Sequence, residues 1–239
     1  MDSCLRYLST GHVFITPEDD LDKVVDALLE TDYAEEFCVA LDFDPHFIAR
    51  LMSAGFLVMS MKIQEEGHPG PESNVLLLPK LHLIRSVLFF PDLHIKKSIK
   101  PLLTKYELKV DTDFQAILEK CVHIHGDDWL TPPLQERLTW IRTYEDLKVR
   151  PVSFGVYRNG ELKAGEFGVV TGRVYTSYSG YYDENSAGTV QMVLTAQYLQ
   201  EQGFAFLDLG MPLAYKDTLG ACTLVPQYFV RLFRSARAS

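Results

Sequence analysis

The sequence predicts an α+β (α/β) protein, with a small N-terminal α/β domain over residues 1–110 and a second domain over 111–239 built on a mixed, mostly antiparallel sheet. Three observations predict it. After Pro151 the run "VSFGVYRNGELKAGEFGVVTGRVYTSYS" is punctuated by Asn159-Gly160 and Thr171-Gly172, the pattern of three strands joined by two tight turns. "AGTVQMVLTAQYLQEQG" then reads as a helix stopped at Gly203, and "FAFLDLGM" as a buried strand. The third meander strand, that helix and the last strand make a β-α-β unit, whose strands run parallel with a right-handed crossover. In the first half, apolar residues recur at helical spacing in segments separated by shorter apolar runs.

The first helix is predicted in "TPEDDLDKVVDALLE", with Thr16 as N-cap, Pro17 in the first helical position and acids in the first turn. A second spans about Pro45–Ala54, and Gly55 can end it in left-handed geometry. "FLVMSMKI" reads as a strand and "QEEGHPGPES" as a loop. Two apolar strands follow, near 74–79 and 81–90. Residues 111–122 form a helix capped by Asp111 or Thr112, and "TPPLQERLTWIRTY" another, opened by Thr-Pro.

Composition excludes several classes. The 239-residue chain is 47% hydrophobic and 23% charged, ordinary for a globular protein. No apolar run is long enough for a membrane span, because Lys80, His82 and Arg85 interrupt the greasiest segment. "MDSCLRYLST" lacks the pattern of a signal peptide, so a cytoplasmic protein is expected. The four cysteines, Cys4, Cys38, Cys121 and Cys222, are scattered free thiols rather than zinc ligands. The seven histidines show no H-x-x-x-H pairing, so no metal is expected. With a net charge of −9, nucleic acid can be bound only through a local basic patch. "IKKSIKPLLTK" supplies one, with Lys96, Lys97, Lys100 and Lys105; its alternative reading is a solvated face.

In open α/β sheets ligands favour the crevice beyond the carboxyl ends of parallel strands. Two segments reach that edge: "VYTSYSGYYDENSAGTV" at 174–190, dense in tyrosines and hydroxyls, and "LDLGM" at 207–211.

A meander, helix and strand of this kind resembles the GNAT (N-acetyltransferase-like) core. The pyrophosphate-binding glycine loop of acetyl-CoA enzymes does not precede the helix, since "YYDENSAG" has one late glycine and two acids. The chain more closely resembles the leucyl/phenylalanyl-tRNA–protein transferase family. "LDFDPHFIARLMSAGF" is similar to its G-G-D-L-S-P-x-x-L-L-x-A-Y-x-x-G-I-F through Asp42, Pro45, Gly55 and Phe56. "LHIKKSIK" resembles its L-H-I-S-R-S-M-K, and "DWLT" its T-W-I-T through Trp129 and Thr131. "GELKAGEFGVVTGRVY" resembles E-L-V-G-G-x-Y-G-V-x-x-G-x-x-F, and "LDLGMPLAYKDTLGA" resembles I-D-C-Q-V-x-x-x-H-x-x-S-L-G-A without a gap.

The resemblance implies a GNAT-like transferase domain at 111–239, behind the N-terminal one. It implies transfer of an amino acid from aminoacyl-tRNA to the N-terminal amine of an acceptor protein or peptide, with no cofactor, no membrane and a monomeric enzyme. The catalytic positions it implies are altered here: Tyr178 stands for the glutamate of G-E-S-M-F and Gly210 for the glutamine of D-C-Q, while Asp208 is kept. Tyr215 stands at the motif histidine. The expected catalytic residues are Asp208, Tyr178 and Glu166, the last a candidate replacement base. Tyr175, Ser177, Ser179, Gly210 and Thr218 are expected to bind substrate. Lys96, Lys97, Lys100, Lys105 and Trp129 are expected to hold tRNA. Each catalytic candidate also has a structural reading: Glu166 facing solvent, Tyr178 packed on its strand, Asp208 bonding the next loop's backbone. A non-catalytic descendant that binds tRNA or protein N-termini is the alternative.

Overall fold

The computed structural model describes residues 5–63 and 75–238, so the loop "QEEGHPGPES" lies outside the described residues. In chain order the first elements are β1 (Arg6–Tyr7), β2 (Val13–Phe14), α1 (Leu21–Glu30), α2 (Pro45–Ala54), β3 (Leu57–Lys62), β4 (Val75–Lys80) and β5 (Arg85–Leu88). Next come α3 (Lys100–Leu103), β6 (Glu107–Val110), α4 (Phe114–His125), α5 (Pro132–Arg142), β7 (Val149–Arg158), β8 (Glu161–Thr171) and β9 (Val174–Tyr182). The last are α6 (Ala187–Glu201), β10 (Phe206–Gly210), α7 (Ala214–Asp217), β11 (Cys222–Leu224) and α8 (Pro226–Arg237).

The chain divides into two interleaved units, Met1–Leu83 with Gly126–Lys148, and Ile84–His125 with Val149–Ser239. A single cut at 110/111 does not follow this division. Strands β5 and β6 are hydrogen-bonded into the large sheet of the second unit, which draws residues 84–110 into it.

In the first unit, α1 starts four residues later than the Thr16-Pro17 signal suggests. The Thr16 backbone N–H donates to the Asp19 carboxylate at 2.7 Å, which holds 16–19 as a turn, and Asp20 caps the helix instead by accepting from the Lys23 N–H. Helix α2 is as expected: the Asp44 carboxylate accepts from the N–H groups of His46 and Phe47, and Gly55 closes the helix at φ 103°. Strands β3 and β4 pair antiparallel. In α5, Leu134, Leu138 and Ile141 are buried.

The second unit is a seven-stranded sheet in the order β11-β5-β10-β9-β8-β7-β6. Its β9–β10 pair is parallel and the other pairs are antiparallel, as the predicted mixed sheet requires. The first hairpin turns at Asn159-Gly160, both at positive φ (54° and 80°). The second turns at Gly172-Arg173, one residue later than expected: Thr171 stays in the ladder opposite Val174, and Gly172 takes the left-handed φ of 54°. Helix α6 packs on one face, against Phe154, Val156, Ala164, Tyr175 and Leu207. The other face carries α4, whose Phe114 and Ile117 meet Phe167 and Gly165, and α8, whose Phe229 meets Phe206.

Candidate functional site

Strand alternation puts the expected catalytic residues on different faces of this sheet. Asp208 lies on the α8 face with no exposure. Its carboxylate accepts from Arg85 Nε at 2.8 Å and Nη2 at 2.6 Å, from Thr176 Oγ1 at 2.8 Å and from the Gly210 N–H at 3.0 Å. The Arg85 guanidinium lies over the Phe229 ring at 4.3 Å. Burial pushes the Asp208 carboxyl up, but the Arg85 charge and these hydrogen bonds outweigh it and hold the group below its ordinary value. The backbone group it accepts from is that of Gly210, the last residue of its own strand rather than of the next loop, and Asp208 is also half of a buried ion pair.

Glu166 lies on the α6 face, 4% exposed, so it is not a solvent-facing glutamate. Its carboxylate accepts from Ser177 Oγ at 2.8 Å. A β-bulge on β9 makes this contact. The register shifts between Phe167 and Gly168, so Gly168 pairs with Ser177, Phe167 with Ser179, and Glu166 with Gly180. Tyr178 is the extra residue. Its ring lies 6.1 Å from that of Phe167 on the α4 side, pointing away from Glu166. From α6, the buried Gln191 hydrogen-bonds Glu166 and also donates to Thr195 Oγ1 at 2.9 Å. Burial nevertheless raises the Glu166 carboxyl above its usual value.

Lys216 sits where the fields of both carboxylates reach. The turn of α7 brings its Nζ back to the end of β10, where it donates to the carbonyl oxygens of Leu209 at 2.5 Å and Met211 at 2.8 Å. Burial lowers its ammonium to about 8, while Asp208 and Glu166 pull the other way. Gly210, between those two carbonyls, adopts φ 68°. Beyond it, Met211, Leu213 and Tyr215 are exposed.

The other expected substrate residues disperse. Tyr175 is fully buried, edge-on to Phe154 at 5.0 Å, and its hydroxyl has no hydrogen-bond partner among the described residues. Ser179 bonds the buried Cys121 thiol of α4, which burial pushes up to about 12. Thr218 closes α7 by donating to the Tyr215 carbonyl at 2.8 Å. Lys96, Lys97, Lys100 and Lys105 are all exposed, on a turn and the single-turn α3, while the intervening Ile99 is buried. Trp129 belongs to the first unit, where its carbonyl accepts from the Ser60 N–H at 2.9 Å. Among the described residues no acidic, histidine or cysteine group could hold a metal ion, and no helix is long and apolar enough to cross a membrane.

Sequence reasoning missed Arg85, Gln191 and Lys216. Arg85 carries a signal: an arginine inside "LIRSVLFF" needs a buried carboxylate somewhere. Gln191 is a polar break in an apolar helix face. Lys216, within "YKDT", reads as surface.

A family model described as leucyl/phenylalanyl-tRNA protein transferase matches residues 87–234. The leucyl/phenylalanyl-tRNA–protein transferase of Pseudomonas putida (strain W619) is 33% identical over 144 residues, 57% of this chain and 61% of that protein. That of Pseudomonas paraeruginosa (strain DSM 24068 / PA7) is 28% identical over 152 residues, 61% of this chain and 65% of that protein. The chain thus spans less than two thirds of the length of these curated relatives. Among solved structures, it resembles FemX with a TM-score of 0.46 at 12% identity, covering 93% of this chain and 83% of that one. It resembles a GCN5-related N-acetyltransferase from Kribbella flavida with a TM-score of 0.36 at 14% identity, covering 88% and 74%.

Proposed function

This chain belongs to the leucyl/phenylalanyl-tRNA protein transferase family, and we propose that it moves an amino acid from aminoacyl-tRNA to the N-terminal amine of an acceptor protein. The observation that carries the reading is the family match over 87–234, which spans the sheet bearing Asp208, Glu166 and the β9–β10 carboxyl ends. The ester is already activated, so the site has to position the amine, take its proton and stabilise the oxyanion.

The reaction is placed on the α6 side. There Glu166 takes the proton of the attacking amine and Ser177 orients its carboxylate. Its raised pKa suits a base working nearer neutrality than a surface glutamate would. Asp208, satisfied by Arg85, serves as a positioning residue that fixes the end of β10 and with it Gly210. On this reading Tyr178 and Ser179, on the opposite face beside α4, and the core residue Tyr175 support the sheet, Thr218 closes α7, and none of the four meets the reacting atoms. Lys96, Lys97, Lys100 and Lys105 pair with phosphates of the tRNA acceptor arm, without reading sequence. Trp129 is a further proposed tRNA contact. Such an enzyme works as a monomer in the cytoplasm, where charged tRNA is found.

The test is transfer of labelled leucine or phenylalanine from charged tRNA to a peptide with N-terminal Lys or Arg. Transfer by the wild type and its loss in Glu166→Gln support the reading; no transfer from any charged tRNA overturns it. A second reading has its own support. Tyr178 and Gly210 stand where the resemblance puts Glu and Gln, as a non-catalytic tRNA-binding descendant would allow. Salt-sensitive tRNA binding with no transfer selects that reading.

A further inference from the structure

We propose that Lys216 is a catalytic residue of this chain: its ammonium, held on the carbonyls of Leu209 and Met211, donates its remaining N–H to the carbonyl oxygen of the aminoacyl ester as the amine adds. The proposal rests on the transfer reading above and assigns the oxyanion donor that the reading leaves open.

The geometry argues for it. An ammonium has three donors. Two are spent on backbone carbonyls at 2.5 and 2.8 Å, which fixes the nitrogen in place without help from solvent. The residue is 6% exposed, so a donor here acts in a water-poor setting, where it is worth more than at the surface. It lies immediately past the carboxyl end of a strand of the parallel pair, beside Gly210, which carries no side chain. Holding the carbonyls of Leu209 and Met211 in place is the structural alternative. A neutral donor would do that with less desolvation cost than a buried cation.

The charges around it are Asp208 on β10 and Glu166 on β8, with Tyr215 and Asp217 beside it on α7. Asp208 is already paired with Arg85 at 2.6 Å, and Glu166 is the second carboxylate whose field reaches Lys216. In the step itself the amine nitrogen bonds to the ester carbon, and the carbonyl electron pair moves onto oxygen, against Lys216. The nitrogen gives a proton to Glu166. Collapse restores the carbonyl, breaks the bond to the ribose oxygen, and that oxygen takes the proton back from Glu166. No oxidant, reductant or further reactant enters.

The experiment is single-turnover transfer from charged tRNA to an N-terminal Arg peptide, with spontaneous ester hydrolysis subtracted, from pH 6 to pH 9.5. The wild-type rate is expected to rise as the acceptor amine deprotonates and then to fall through about 8, where the ammonium is lost. Lys216→Met is expected to lower the rate constant by about 100-fold at pH 7 with little change in tRNA affinity, the usual scale for a lost oxyanion donor. Lys216→Arg, which keeps a cation and its donors, guards against misfolding. It should retain measurable transfer and lose the alkaline fall. A folded Lys216→Met with wild-type rate, or an alkaline fall that persists in Lys216→Arg, overturns the proposal and leaves the transfer reading standing. A wild type that transfers nothing overturns both.

Discussion

Arg85 and Asp208 form a two-pronged ion pair across neighbouring antiparallel strands, at 2.8 and 2.6 Å, with side chains only 2% and 0% exposed. The pair ties β5, which comes from the first half of the chain, to the end of β10. Each member is otherwise satisfied: Asp208 by Thr176 and the Gly210 N–H, Arg85 by the face of Phe229. A charge buried this way is secure only while its partner remains.

Asp208→Ala therefore leaves the Arg85 cation buried without its carboxylate, at a cost of about 3–5 kcal/mol. For a chain of this size that lowers Tm by roughly 10 °C. The double change Arg85→Met with Asp208→Leu should recover most of it, because it removes both charges. The pH dependence has a definite sign. The folded carboxyl lies below its unfolded value of about 3.9. Its contribution is full above that pH and is lost as pH falls through the folded value. Denaturant titrations from pH 7 down to pH 2 should show a larger acid-dependent loss in the wild type than in Asp208→Asn, in which only the other carboxylates titrate.

Glu166 behaves in the opposite sense. Burial raises its folded pKa above the unfolded value of about 4.3, so the charged form costs stability, and the cost grows as pH rises through the interval between the two. Glu166→Gln keeps an acceptor for the Ser177 hydroxyl and removes the charge. Its Tm at pH 7 should exceed that of the wild type, the gain should vanish below about pH 4, and transfer should be lost. A Tm lower than wild type at pH 7 would show that Ser177 and Gln191 more than offset the burial.

These two carboxylates also show what the sequence could and could not say. The meander, the crossover helix and the parallel β9–β10 pair were legible, because Asn159-Gly160, Gly203 and the run "FAFLDLGM" are local signals. Pairing across a tight Thr171-Gly172 turn sets Glu166 facing Ser177 with Tyr178 pointing the other way, and that contact forms, but the register that makes it was not legible. It depends on the bulge at Ser177-Tyr178 and on a turn one residue later than Thr171-Gly172 suggests, and a one-residue change of register reassigns every cross-strand partner. The Arg85 partnership joins positions far apart in the chain. Lys216 looked like surface because its burial comes from the return of α7 to β10, which no periodicity records. Strand β11 is too short to announce itself. Helix α8 buries Phe229, Val230, Phe233 and Ala236 at helical spacing, a pattern that could have been found in the sequence.

Gly168 is held by contact rather than by conformation. A Cβ there would sit 2.2 Å from the Thr176 carbonyl oxygen and 2.7 Å from the Tyr175 hydroxyl. The first is backbone and cannot rotate away, and the second belongs to a ring fixed against Phe154. Gly168→Ala should cost about 3 kcal/mol, at the upper end of overpacking penalties. It should also loosen Thr176, whose hydroxyl bonds Asp208 at 2.8 Å. Thermal melts measure the first effect. The second would appear as a smaller acid-dependent loss of stability than in the wild type.

The lysine run gives the sharpest test of nucleic-acid contact, because its effect is read in salt rather than in affinity alone. Lys96, Lys97, Lys100 and Lys105 are exposed, and the buried Ile99 holds their backbone to the body of the unit. The chain as a whole carries −9 and repels phosphate, so whatever attraction it has must be local. Each lysine that pairs with a phosphate releases a counterion and steepens the fall of affinity with salt. Lys96→Ala and Lys97→Ala should each weaken tRNA binding almost equally for all tRNA sequences and make the log–log salt slope shallower by about one. The double variant should add the two effects, and its melting temperature should not change, since neither side chain packs. Fluorescence titrations across a range of salt concentrations give the slopes. An unchanged slope in the double variant would assign these lysines to a solvated face and move the tRNA contact elsewhere.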